Sequence, residues 1–174
     1  KAAVEGALTE EWREKNSKLI DGHGVLALIR KRHEGMKKPP LSMAASEWSE
    51  RIRSNWPLAS IDEVLAHGRK CAYGVLQPGE HIDGGVPLIR VGDIDGGKLD
   101  ESALKHISSA IAAKYPRTRL QGGEVLISLV GAVGRTAIAP VELAGANTAR
   151  AVGVIPVAKE LLPEWVELWL RNPG

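Results

Sequence analysis

The stretch "EVLISLVGAVGRTAIAPV" (124–141) decides how this chain is read. Its two ends, EVLISLV (124–130) and RTAIAPV (135–141), are short, rich in β-branched residues and bounded by Gly or Pro, the pattern of strands. Between them Gly131 and Gly134 permit a tight loop, and Arg135 emerges where the second strand starts. Two further runs of the same kind lie outward: "VPLIRV" (86–91), set off by Gly84-Gly85 and Gly92, and "ARAVGVIPV" (149–157). Strands at such close spacing predict a curled antiparallel or barrel-like sheet. A small helix near residues 109–114 interrupts them and stops before Pro116. The expected fold class is α+β, a Gly-rich curled, barrel-like sheet domain flanked by helices.

The flanks read as helical. "KAAVEGALTEEWREKN" places Val4, Leu8 and Trp12 on one narrow stripe, with Glu11 and Lys15 as an exposed i,i+4 pair. A stripe so narrow needs a partner, either another helix of the parent protein or another subunit. "GVLALIRKRHEG" puts Val25, Leu28 and Ile29 on one face, and "SEWSERIRSNW" sets Trp48 and Ile52 four apart. "MKKPPLS" between them reads as a linker. Ser60-Ile61-Asp62-Glu63 is a capping box, expected to open a short helix that Gly68 ends. Pro163 is placed to open a last helix with Leu162, Val166, Trp169 and Leu170 on one face. The chain starts without Met and stops just after that helix, which predicts a piece of a longer polypeptide. Four segments result: 1–16, 17–55, 56–162 and 163–174.

Composition narrows the possibilities. Of 174 residues 44% are hydrophobic, enough for a real core, and the absence of Phe makes that core aliphatic. One cysteine, Cys71, allows no internal disulfide and no cysteine cluster for zinc. Nothing resembles a transmembrane span or signal peptide, so a cytoplasmic location is expected. Net charge is only +2, but its distribution is uneven. Between residues 104 and 150 six basic side chains (Lys105, Lys114, Arg117, Arg119, Arg135, Arg150) face two acidic ones (Glu124, Glu142). A local basic face on a near-neutral chain fits a nucleic-acid reader, and it also fits ordinary surface charge.

The search for catalytic groups returns little. Asp21-Gly22-His23-Gly24-Val25-Leu26-Ala27 has nucleotide-loop glycines before a helix, but "EKNSKL" ahead of it is no buried strand, so a Gly-rich helix entry is the simpler reading. The five histidines show no metal-binding spacing. His81 and Asp83 share a face of an extended chain, which allows a hydrogen bond in a surface turn. Cys71 follows Arg69 and Lys70, which would favour a thiolate, yet no partner histidine is assignable. No serine sits in a nucleophile elbow. No catalytic residues, metal or cofactor are therefore expected on this chain.

Basic turns are the better signal. An arginine at a rigid loop end can fork onto guanine or hold a phosphate, which suits Arg135 beside Gly131 and Gly134. Arg117-Thr118-Arg119 follows Pro116 as a second basic turn, and Asn147-Thr148-Ala149-Arg150 reads as a third, with Asn suited to adenine. Charge and loop position add Arg69, Lys70 and Arg90. The candidate DNA-binding set is thus Arg135, Gly131, Gly134, Arg117, Arg119, Asn147, Arg150, Lys70, Arg69 and Arg90. Each taken singly is equally an ordinary polar strand end.

In order, "VPLIRVGDIDGGKLD", "YPRTRLQGGEVLISLVGAVGRTAI" and "NTARAVGVIPV" resemble the target recognition domain of type I restriction–modification specificity subunits. "YGVLQPGEHIDGGVPLIRV" (73–91) is typical of one branch of that family, and "AAVEGALTEEWREKN" resembles the end of its helical spacer. The resemblance covers nearly the whole chain. Its motifs are loose singly and specific in their order. It implies that 1–16 ends the central spacer, 17–55 is a charged helical connector, 56–162 is a target recognition domain and 163–174 starts the C-terminal conserved helix. It also implies a non-catalytic subunit that reads one half of a bipartite double-stranded DNA target. Such a subunit docks methyltransferase subunits and, through them, the restriction–translocation subunit, with S-adenosylmethionine on the methyltransferase. Only the loop at Gly131–Arg135 matches a recurrent family feature. Two rivals remain: the recognition domain of a fused restriction or methyltransferase enzyme, and a protein-interaction module without DNA. The first would need an N-P-P-Y or P-D…E-x-K site, and these residues contain neither.

Overall fold

A computed structural model of the chain describes residues 9–16, 18, 21–34 and 56–171. They fall into two compact units, one holding the described residues up to His67 together with Ala158–Leu161, the other running over Gly68–Val157 and from Leu162 to the last described residue. No helix among the described residues is long and apolar enough to cross a membrane.

The first unit holds α1 (Glu10–Lys15) and α2 (Gly22–His33). In α1 the expected Lys15–Glu11 pair forms at 2.6 Å and Trp12 is exposed, while Val4 and Leu8 lie outside the described residues. The linker "MKKPPLS" and the Trp48–Ile52 helix lie outside them as well. Asp21 caps α2, its carboxylate accepting the Gly24 N–H at 2.8 Å. A phosphate cradle would need that N–H, so the glycines here serve a helix entry. The buried face of α2 is Leu26 and Ile29, and Leu28, read on one face with Val25 and Ile29, is exposed. The capping box at Ser60–Glu63 closes reciprocally (Ser60 N to Glu63 Oε2 2.9 Å, Glu63 N to Ser60 Oγ 3.2 Å) but opens no helix. Arg30 takes the other oxygen of Glu63 at 2.8 Å, and the Val64 carbonyl accepts from Ala158 N, so the chain leaves the turn extended.

The second unit carries nine short strands: β1 (Ala72–Tyr73), β2 (Val86–Ile89), β3 (Ile94–Asp95), β4 (Lys98–Leu99), β5 (Lys105–Ile107), β6 (Val125–Ser128), β7 (Thr136–Ile138), β8 (Asn147–Thr148) and β9 (Val152–Ile155). Helix α3 (Ser109–Ala112) follows β5, and α4 (Pro163–Arg171) ends the described chain. One sheet has the order β1-β9-β6-β7, a second β5-β2-β8, and β3 and β4 make a hairpin. The mixed helix-and-sheet class is as expected. No closed barrel forms among the described residues, and β2 pairs with β8 in parallel, not antiparallel as expected. Strands of two to four residues present too little ladder to close a sheet on itself.

Register fixes the core. Ala72, Val154, Leu126 and Ala137 stand opposite one another across the four-stranded sheet and so share a face. That face packs with Ile89, Ile94, Leu104, Leu120 and Val152. Every buried hydrophobic residue described is Leu, Ile, Val or Ala, the aliphatic core that the missing Phe requires. On the other face α4 lies against β6 and β7. Its buried residues are Val166 and Glu167, whereas Leu162 and Trp169, read on one apolar face with Val166, are 71% and 43% exposed. A hydrogen bond explains why a carboxylate is turned inward: the Thr136 hydroxyl donates to Glu167 Oε1 at 2.5 Å.

Gly74 lets β1 pass β8. A Cβ there would lie 1.7 Å from the Thr148 carbonyl oxygen, a rigid backbone atom. Gly74→Ala is therefore expected to cost about 3 kcal/mol or more by urea unfolding. Gly68→Ala, at φ +75 with open space around it, is expected to cost only about 1 kcal/mol.

Candidate nucleic-acid interface

The β6–β7 loop is built around Ser128, whose side chain is fully buried. Ser128 N donates to Arg135 O (2.9 Å), Gly134 N donates to Ser128 O (3.0 Å), and Arg135 N donates to Ser128 Oγ (2.8 Å). The Ser128 hydroxyl donates to Ala132 O, and Val133 N closes a smaller turn onto Gly131 O at 2.9 Å. Gly131 and Gly134 sit at φ +81 and +86, a region closed to most side chains. The loop is thus a fixed shape, with Val130 and Val133 at its tip, 62% and 71% exposed.

Arg135 leaves this loop toward the β3–β4 hairpin. Its Nη1 donates to Ile94 O at 3.3 Å and its Nε lies 3.9 Å from Asp95 Oδ1, with 41% of the side chain exposed. The guanidinium is aimed by one carbonyl and one carboxylate of the hairpin, and the side chain stays partly open to solvent.

Neighbouring segments meet the same end of the sheet. Leu129 N donates to Ala151 O (2.8 Å), Arg150 N to Val75 O (2.9 Å) and Ala149 N to Ile89 O (2.8 Å). Arg150 is exposed, and its side chain has no hydrogen-bond or ionic partner among the described residues. A second basic group lies on the β1 side. The 3-10 turn Pro116–Thr118 packs against β1 and presents Arg117 and Arg119 to solvent, both again without side-chain partners among the described residues. Lys70, just before β1, is exposed too.

Three predicted residues are committed internally. Asn147, read as part of an exposed turn, is instead in β8 and only 1% exposed. Its Nδ2 donates to Tyr115 O (3.0 Å) and Thr118 Oγ1 (3.2 Å), holding the Arg117 turn in place. Arg69 Nη1 donates at 2.7 Å to Glu124 Oε1, which also accepts Gln121 N. Arg90 grips Asp93 by Nε (3.1 Å) and Nη2 (2.8 Å), and the same Nη2 reaches Ala103 O. The hydrogen bond to Asp93 chiefly raises the Arg90 pKa; burial opposes it and the Asp93 charge adds to it. The i,i+3 spacing of Arg90 and Asp93 was visible in the sequence. The 55-residue separation of Arg69 from Glu124 left no local signal.

Elsewhere the chemistry is modest. His81 Nε2 and Asp83 Oδ1 are 3.0 Å apart, as their shared face allowed, and His81 Nδ1 accepts the His106 N–H at 3.2 Å. Cys71 is exposed. Among the described residues no three His, Cys, Asp or Glu side chains gather where a metal could sit. The interior ion pair gives a direct check on which arginines serve the scaffold. Glu124 is 1% exposed and its Oε2 has no hydrogen-bond partner among the described residues, so Arg69→Ala strands a buried charge. The expected loss is about 3 kcal/mol of unfolding free energy, against no measurable loss for Lys70→Ala.

No family model matches the chain. The chain is 33% identical over 173 residues to the type I restriction enzyme EcoBI specificity subunit of Escherichia coli, covering 99% of itself and 31% of that relative. It therefore spans about a third of the length of the curated relative it matches. Among solved structures it is similar to the HsdS subunit from Thermoanaerobacter tengcongensis, at 19% identity and a TM-score of 0.48, over 98% of this chain and 39% of that one. It is also similar to a chain from work on complex assembly and conformational transition of the type I R-M system, at 18% identity and 0.48, over 97% and 38%. Over practically its whole length, then, this chain is related to part of a type I restriction specificity subunit, the family its motifs resemble.

Proposed function

We propose that this chain reads one half of a bipartite double-stranded DNA target for a type I restriction–modification system and makes no bonds itself. The observation that carries the proposal is the relationship to a specificity subunit across 99% of the chain. The geometry supports it with a rigid glycine-delimited loop, flanked by Arg135 and Arg150 at one end of the sheet and joined by Arg117 and Arg119 on the β1 side. Methyltransferase subunits, carrying S-adenosylmethionine, and a restriction subunit are the proposed partners, in the cytoplasm. The DNA-contacting set reduces to Arg135, Gly131, Gly134, Arg117, Arg119, Arg150 and Lys70, with Asn147 holding the Arg117 turn and Arg69 and Arg90 engaged by Glu124 and Asp93.

The test is selection from a randomised duplex pool by the full-length protein with its methyltransferase partner. A recovered consensus is expected, and no enrichment would overturn the proposal. On the recovered sequence, Arg135→Ala is expected to cost about 1–3 kcal/mol, roughly 5- to 150-fold in Kd, and to relax one base position. Arg117→Ala and Arg119→Ala are expected to weaken all sequences alike and to flatten the salt dependence, by about 0.9 in the log–log slope for each phosphate no longer neutralised.

A further inference from the structure

Glu167 is a buried carboxylate that the proposed reading of DNA does not itself use. It is 6% exposed, on α4, and accepts from the Thr136 hydroxyl at 2.5 Å. Its Oε1 also lies 3.3 Å from Arg171 Nε, one turn along the helix. Arg171 Nη1 in turn donates to the Gly96 carbonyl at 3.1 Å, at the tip of the β3–β4 hairpin. The approach is close: a Cβ on Gly97 would sit 2.9 Å from Arg171 Nη1 and 3.1 Å from Glu167 Oε1. The hairpin is bridged to β7 as well, between Gly97 and Ala137.

Besides its two hydrogen bonds with Ser128, Arg135 has two attachments that lead back to one side chain. Its backbone is continuous with Thr136, which Glu167 holds. Its guanidinium rests on Ile94 O, in the hairpin that Glu167 holds through Arg171. We infer that Glu167 is the positioning residue for Arg135: it joins α4 to both the strand and the hairpin that aim the guanidinium. Its place in recognition rests on the DNA-reading proposal, but the mechanical link does not. A residue behind the contact surface acts by fixing a contact group, much as outer ligands orient inner ones.

Hydrogen exchange on the intact protein tests the link without DNA. In Glu167→Ala the amide of Arg135 and that of Asp100, which closes the hairpin onto Asp93 O, are expected to exchange about tenfold faster, while Leu126 and Val154 at the sheet centre keep their rates. Arg171→Met, at a 44% exposed side chain, removes only the hairpin arm and serves if Glu167→Ala does not fold. It should speed Asp100 and spare Arg135. Unchanged exchange at Asp100 in the folded Arg171→Met protein would overturn the inference. On the selected DNA, Glu167→Ala should relax the base position that Arg135→Ala relaxes, and the double variant should lose no more than Arg135→Ala alone. Additive losses would also overturn it. If Arg135→Ala leaves DNA binding intact, the DNA reading of Arg135 fails, and the exchange rates alone decide the positioning role.

Discussion

Ser128 lies buried at the end of β6, and all its polar atoms are engaged in closing the loop that follows. A buried hydroxyl and its peptide cannot be left unpaired without a cost of about 1–3 kcal/mol each, so the loop has one closure that satisfies them. That closure turns Gly131 and Gly134 into the left-handed region, drives Val130 and Val133 outward, and delivers Arg135 to the hairpin. Everything proposed about recognition depends on this loop being a fixed shape. A reader whose contact group wandered would lose the discrimination that a bidentate arginine offers.

The same principle, polar groups spent to hold other polar groups, runs through the unit. Asn147 fastens the turn that shows Arg117 and Arg119. Arg69 neutralises Glu124, and Arg90 with Asp93 shapes the exit from β2. With no Phe in the chain and an aliphatic core, these buried polar links give orientation that packing alone does not. What separates the arginines is partnership and not burial: Arg69 and Arg90 are tied to the carboxylates of Glu124 and Asp93, whereas Arg117, Arg119 and Arg150 have no side-chain partner among the described residues.

The four long apolar runs were legible because β-branched residues between glycines and prolines leave few alternatives, and each yields a strand within its predicted bounds. The two-residue strands were not. Ala72–Tyr73 and Asn147–Thr148 have no period to detect, and only pairing across the fold makes them strands. Asn147 shows the cost, since its type suggested an exposed base reader and its neighbours bury it. The Ser60–Glu63 box shows the converse, a correct local motif that tertiary hydrogen bonds divert from a helix. At the site, the Gly131–Arg135 loop was visible in sequence, whereas Glu167 was not. A carboxylate on an amphipathic helix reads as solvent-facing unless its Thr136 partner, 31 residues away, is known.

The central claim is that the loop end of the β6–β7 hairpin faces DNA. Photocrosslinking addresses it directly, with a benzophenone side chain at Val133 in the full-length protein bound to its methyltransferase and a selected duplex. The same probe at Glu142, exposed at the opposite end of that hairpin, is the control. Crosslinks to DNA from position 133 and none from 142 are the predicted result. Crosslinks from 133 to protein alone, or equal DNA crosslinking from both positions, would contradict the account.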